Sequence, residues 1–154
     1  MTRSLVVPVC FVALLSATSA SAQTTTLTMG GFNGNMGNNT VAEFDLGVKN
    51  SATARTFTVA IATLNTSRTT SVYIRADAAT MGGGKPVGSW AWRRNDLGTW
   101  YPLATIDVLI ETRVIAGVGT SWSNSVFFRC NLAWASDAPL TYSVGVTFTL
   151  QVTP

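Results

Sequence analysis

Alternation at a period of two runs through most of this chain. Phe57, Val59 and Ile61 alternate with Thr56, Thr58 and Ala60, and Val72 and Ile74 continue the beat. Ile106, Val108, Ile110 and Val114 form one row, with Asp107, Glu111 and Arg113 on the other face. Val126, Phe128, Cys130, Leu132 and Trp134 form a long apolar row, and Tyr142, Val144, Val146, Phe148, Leu150 and Val152 form the longest. Successive side chains of a strand point to opposite faces, so each row reads as a strand with one buried and one wet face.

Turn-forming residues separate the rows. Residues 30–39 are rich in Gly and Asn, 65–67 read Asn-Thr-Ser, and 80–86 are rich in Gly. Further breaks fall at 95–98, 116–120 and 136–139. No stretch carries a convincing helical period. Short strands at this spacing predict an all-β fold, an antiparallel β-sandwich of about eight to nine strands with Ig-like, Greek-key connections.

The stretch GSWAWRRNDLGTW, residues 88–100, holds three of the five tryptophans. Asn95-Asp96-Leu97-Gly98 fits a type I turn closed by a left-handed glycine. That turn sets Asn95 opposite Thr99 and Arg94 opposite Trp100, where a guanidinium on an indole face contributes about 0.5–1 kcal/mol. Trp90, Trp92 and Arg94 share one face of their strand. They either enter the core, with Arg94 at its rim, or point outward as a platform for a flat ligand. The alternate face carries only Ala91 and Arg93, a poor core face, which favours the inward arrangement. Trp134 belongs to an inward row. Trp122 lies beside a loop and Trp100 follows the turn, so these two are the expected exposed aromatics.

Residues 1–22 read as a cleaved signal peptide: Arg3, an apolar run from Leu5 to Leu15, then Ala20-Ser21-Ala22. The run is shorter than the roughly 20 residues a membrane helix needs. Residues 23–154 are then a single exported domain without a further membrane span, destined for the periplasm, the cell surface or the medium. Cys130 is the only cysteine outside the leader, so no internal disulfide forms. Its place between Phe128 and Leu132 makes it a small buried residue.

Lys and Arg number ten, Asp and Glu seven, and His is absent. The slight, scattered basic excess does not point to nucleic acid. Without histidine the chain lacks the usual general base, zinc ligand and Ser-His or Cys-His pair. Gly82-Gly83-Gly84-Lys85 is not a phosphate loop, because Ala79 and Pro86 stand where Gly and Ser/Thr are required. Asp107 and Glu111 on one strand face would lie roughly 13 Å apart. That is beyond the ~5 Å of a retaining glycosidase pair and the ~9.5 Å limit of an inverting one. Glu43 and Asp45, alternating with Phe44, would stand roughly 7 Å apart as strand neighbours. That spacing suits an inverting pair, and the competing, favoured reading is solvated charges on an outer sheet face. No metal or cofactor is implied, and no catalytic residue is expected.

The closing stretch DAPLTYSVGVTFTLQVTP resembles the last strand of exported bacterial surface domains, the spore-coat-U-like and chaperone–usher pilin families. Pro139, Thr141 and Tyr142 stand at the opening of that strand. The resemblance covers about the last 18 residues, the leader and the general Thr/Ser-rich β style. The missing disulfide departs from those families. The resemblance implies subunits joined by β-strand addition, with residues 23–32 as the donor segment or, alternatively, an ordinary first strand. Tyr142 also suits a corner tyrosine bonded to backbone.

Two functions follow from these readings. One is a non-catalytic exported surface protein, structural or adhesive, including a pilus or filament subunit that partners itself. The other is a small carbohydrate-binding module that engages surface glycans through Arg94, Asp96, Trp100, Tyr101 and Trp122.

Overall fold

The computed structural model describes residues 25–31, 36–61, 67–116 and 119–154. The leader, and residues 23, 24 and 32 of the donor segment, lie outside them. Nine strands and one α-helix are described: β1 (Thr25–Gly31), α1 (Val41–Leu46), β2 (Val48–Asn50), β3 (Arg55–Ile61), β4 (Arg68–Ala76), β5 (Trp90–Arg94), β6 (Tyr101–Pro102), β7 (Val108–Ile115), β8 (Ser121–Asn131) and β9 (Val146–Thr153). They form two antiparallel sheets. The larger runs β1-β3-β8-β5-β6, with β2 also on β8, and the smaller runs β7-β4-β9. The chain is the expected all-β sandwich, and spatial neighbours such as β3–β8 and β4–β9 are distant in sequence.

The core forms where the two inner faces meet. The larger sheet contributes Phe57, Val59, Ile61, Trp90, Trp92, Val126, Phe128 and Cys130. The smaller contributes Val72, Ile74, Ala76, Ile110 and Ile115. Removing each Val, Ile or Phe side chain among these from water stabilises the fold by roughly 1.5–3 kcal/mol. Trp90 and Trp92 are fully buried, so the inward arrangement of the opening tryptophan row is the one the protein adopts. Directly paired residues share a face, so Trp92 opposite Phe128, and Val59 opposite Trp122, belong to one inner layer.

Three expectations are corrected. Residues 41–46 are helical, so Glu43 and Asp45 are not strand neighbours. Thr40 caps this helix, accepting from Glu43 N while Glu43 Oε2 accepts from Thr40 N at 2.8 Å. Gly47 ends it with φ 68°, a left-handed value glycine adopts freely. Trp134 is 57 % exposed, because the chain leaves β8 at Asn131 and turns. Its ring stacks on Phe44 at 4.7 Å and its N–H donates to Asp45 Oδ1 at 3.1 Å.

The row through β7 also breaks. Val72 pairs with Glu111 but Tyr73 with Leu109, leaving Ile110 as an extra residue. This bulge reverses the phase of the strand. Beyond it Ile115 turns inward, Val114 is 69 % exposed, and Glu111 is only 8 % exposed. Ile106 precedes the strand and is exposed.

Two loops are tied by a nearly buried ion pair. Lys85 Nζ lies 2.6 Å from Asp137 Oδ2, which also accepts from Ala133 N at 2.7 Å. Tyr142 Oη donates to Ala138 O at 2.9 Å, as a corner tyrosine does. Burial raises its pKa.

Candidate functional site

The β5–β6 hairpin sorts the five residues singled out in the sequence onto different faces. Ala91 pairs with Pro102 and Trp92 with Tyr101. Continuing that register puts Trp100 opposite Arg93 and Thr99 opposite Arg94. The predicted loop is one residue too short. Leu97 N donates to Arg94 O at 3.2 Å, closing the turn at 94–97, and Gly98 is not among the positive-φ glycines. A one-residue slip exchanges the faces of a whole strand, and so Arg93 rather than Arg94 meets Trp100.

Arg94 remains on the inner side, at the open rim of the sandwich. Its Nε and Nη2 donate to Asp96 Oδ1 and Oδ2 at 2.8 and 2.5 Å, a two-point clamp. Nη1 donates to Ile110 O at 3.2 Å and lies 3.9 Å from Glu111 Oε2. The bulge in β7 brings Glu111 here. Glu111 also accepts from Arg113 Nε and from Asn124 Nδ2, each at 2.6 Å. The hydrogen bond from Arg94 lowers the pKa of Asp96, and the bond to Asp96 raises that of Arg94.

Trp122 adjoins this network but is not exposed. It is 7 % accessible, its N–H donates to Thr70 Oγ1 at 3.0 Å, and Arg113 stands over its ring at 5.0 Å. Thr70 in turn donates to Arg113 O at 3.0 Å. This joins the sheets: Val59 and Trp122 pair on one, Thr70 and Arg113 on the other. The expectation of an exposed Trp122 is corrected, since its row continues inward through Val126 and Phe128.

Trp100 and its neighbours occupy the outer face of the larger sheet. The Arg129 guanidinium stands 4.6 Å from the Trp100 ring centre and that of Arg93 5.2 Å. Arg93 also stands 5.3 Å from Phe127. Tyr101 faces the other way, 39 % exposed, its ring 5.1 Å from Trp92. The five residues therefore make no single surface. Arg94, Asp96 and Trp122 line the inner rim, Trp100 lies outside, and Tyr101 covers the edge of the core.

Sequence reasoning missed Arg93, Phe127 and Arg129 on the outer face, and Asn124 and Arg113 at the rim. The signal for the outer set was present. Phe127 and Arg129 occupy the positions of β8 that alternate with the buried row, so both must point outward.

The carboxylates are all engaged. Glu43 meets Lys49 at 3.1 Å, Asp107 meets Arg75 at 4.0 Å, and Asp77 accepts from Thr147 at 2.5 Å. With the pairs of Asp45, Asp96, Glu111 and Asp137 above, six of the seven acids accept a hydrogen bond and the seventh, Asp107, has a loose ion pair. Burial of Glu43 favours its neutral form, but the hydrogen bonds from Thr40 and Lys49 outweigh it and hold its pKa low. Among the described residues no three of Cys, Asp and Glu gather as a metal site would require. No helix among them is long and apolar enough to cross a membrane. No family model matches this chain, and no curated protein matches it.

Proposed function

We propose that this chain is a non-catalytic exported surface protein, structural or adhesive, that assembles through the edge of its smaller sheet. The observation that carries this reading is β9. Among the described strands it pairs only with β4. Its eight residues, VTFTLQVT, contain no charge and no proline, and its register on β4 is unbroken. Edges are ordinarily protected against association by charges, prolines or bulges. The inner row Val146, Phe148 and Leu150 is only half-buried, so a further strand would bury more apolar surface. β1 pairs with β3 inside the chain over all seven residues. The same pairing between chains is a strand exchange, a short route to filaments. The absence of histidine and the engagement of every carboxylate support the non-catalytic part.

The test is light scattering on residues 23–154 across a wide concentration range. Association is expected, and Thr149→Lys with Gln151→Lys should abolish it by charging the edge. A wild-type chain that stays monomeric at high concentration rejects assembly.

A second reading is a carbohydrate-binding module, favoured by the exposed Tyr101 and by the Trp100 platform. Tryptophan fluorescence titrated against a glycan panel tests it, and no response to any glycan ends it.

A further inference from the structure

Arg93 and Arg129 differ from the other cations whose partners are described above. Lys49, Arg75, Lys85, Arg94 and Arg113 each hold a carboxylate. Arg93 and Arg129 hold none among the described residues, and all seven acids are engaged elsewhere. Their only neighbours of note are aromatic: both stand over Trp100, and Arg93 also over Phe127. Each Nε–H is covered and lacks an acceptor, and Arg93 spends one further N–H on Leu97 O at 3.4 Å. Two guanidinium groups thus gather at one ring, partly desolvated, with no carboxylate beside them among the described residues. With each Nε–H covered, the terminal Nη groups are the donors left for an acceptor. A guanidinium edge fits the paired oxygens of a carboxylate or sulfate.

We infer that the outer face of the larger sheet around Arg93, Trp100 and Arg129 binds an acidic polysaccharide, one bearing uronate or sulfate groups. This rests on the glycan-binding reading and changes its chemistry. Trp100 is not a bare stacking surface for a neutral sugar, because guanidinium groups already stand over it. It is the spacer that sets two cations. The same face continues along β8 and β3 as hydroxyls, with Ser123 and Thr58 sharing a hydrogen bond at 2.9 Å. That surface suits sugar hydroxyls along a chain. Single-stranded nucleic acid fits less well, because it needs free aromatic faces for its bases, and the two rings here carry arginine.

The experiment is calorimetric titration of the purified protein with polygalacturonate, heparin, dextran and oligothymidylate. Binding of the two acidic polysaccharides is expected, weakening as salt rises because exposed charges are screened. Arg93→Gln and Arg129→Gln should each lower affinity about tenfold, as loss of a charge-assisted hydrogen bond does. Arg93→Lys, which keeps the charge and loses the fork, should fall between. Thermal melts check that the variants fold, and the salt series on the unaltered protein needs no variant. Dextran binding as well as polygalacturonate, or acidic binding insensitive to salt, overturns this inference and leaves glycan binding standing. Oligothymidylate binding more tightly than either acidic polysaccharide overturns it in favour of nucleic acid. Silence toward every polymer rejects both readings.

Discussion

β8 and β7 carry the same kind of alternation in sequence, and only β8 keeps it in the fold. β8 lies inside the larger sheet, paired on both sides, to β2 and β3 on one and β5 on the other. Two neighbours lock its register, and its even-numbered residues run inward without interruption from Trp122 to Cys130. Among the described strands β7 has one neighbour, β4. No described strand on its other side resists an extra residue, and a bulge there costs a single ladder interruption. The bulge moves Glu111 to the rim and Val114 to the surface. A strand held from one side can therefore lose phase, as β7 does, although β9, paired with β4 alone among the described strands, keeps an unbroken register.

Four substitutions and one reactivity test probe this contrast. Phe128→Ala, in the locked row of β8, should lower stability by about 3–5 kcal/mol, read from urea denaturation. In the same row, burial pushes the Cys130 thiol up to about 11. A thiol reagent at mildly alkaline pH should leave the native protein unlabelled and label it once urea unfolds it; rapid native labelling would mean that β8 is not locked. Glu111→Ala should cost about 1–3 kcal/mol, because it strands Asn124 and the Arg94 and Arg113 charges at the rim. If the bulge were absent and Glu111 faced water, the loss would be negligible.

Asp96 gives a smaller, pH-dependent effect. Its folded-state pKa is depressed by Arg94. Its contribution is present above the unfolded carboxylate value and is lost as pH falls through the folded one. Half of the side chain is exposed, so solvent screens the pair and the contribution is modest. Asp96→Asn should flatten the acid limb of stability against pH, and an unchanged limb removes the pair from the account. Val114→Thr, on the outward side of β7, should change stability by no more than about 0.5 kcal/mol. A core-sized loss there would restore the unbroken row.

The opening hairpin repeats the lesson at smaller scale. Asn-Asp-Leu-Gly indicated a turn, and a turn is there. Leu97 N reaches Arg94 O, so the turn closes one residue earlier than a turn beginning at Asn95. One residue of difference exchanged Arg94 for Arg93 beneath Trp100 and divided the expected binding surface between two faces. Helix α1 was accessible in principle, since Thr40-Val-Ala-Glu43 is a capping box. Its six residues are too few to show a helical period, and Glu43-Phe44-Asp45 mimics a strand.

What the residues alone determined was the two-layer β architecture and the burial of Cys130; they favoured burial of Trp90 and Trp92 without deciding it, and offered the backbone-bonded corner at Tyr142 as one of two roles. Each follows from side-chain chemistry and a period of two, which are local properties. The loop length of the hairpin was a local matter of one residue, whereas pairing between distant segments decided the phase of β7, the escape of Trp134 to the surface, and the gathering of Arg93 and Arg129 at Trp100. Those depend on hydrogen-bond register across strands far apart in sequence, and no window along the chain contains both partners.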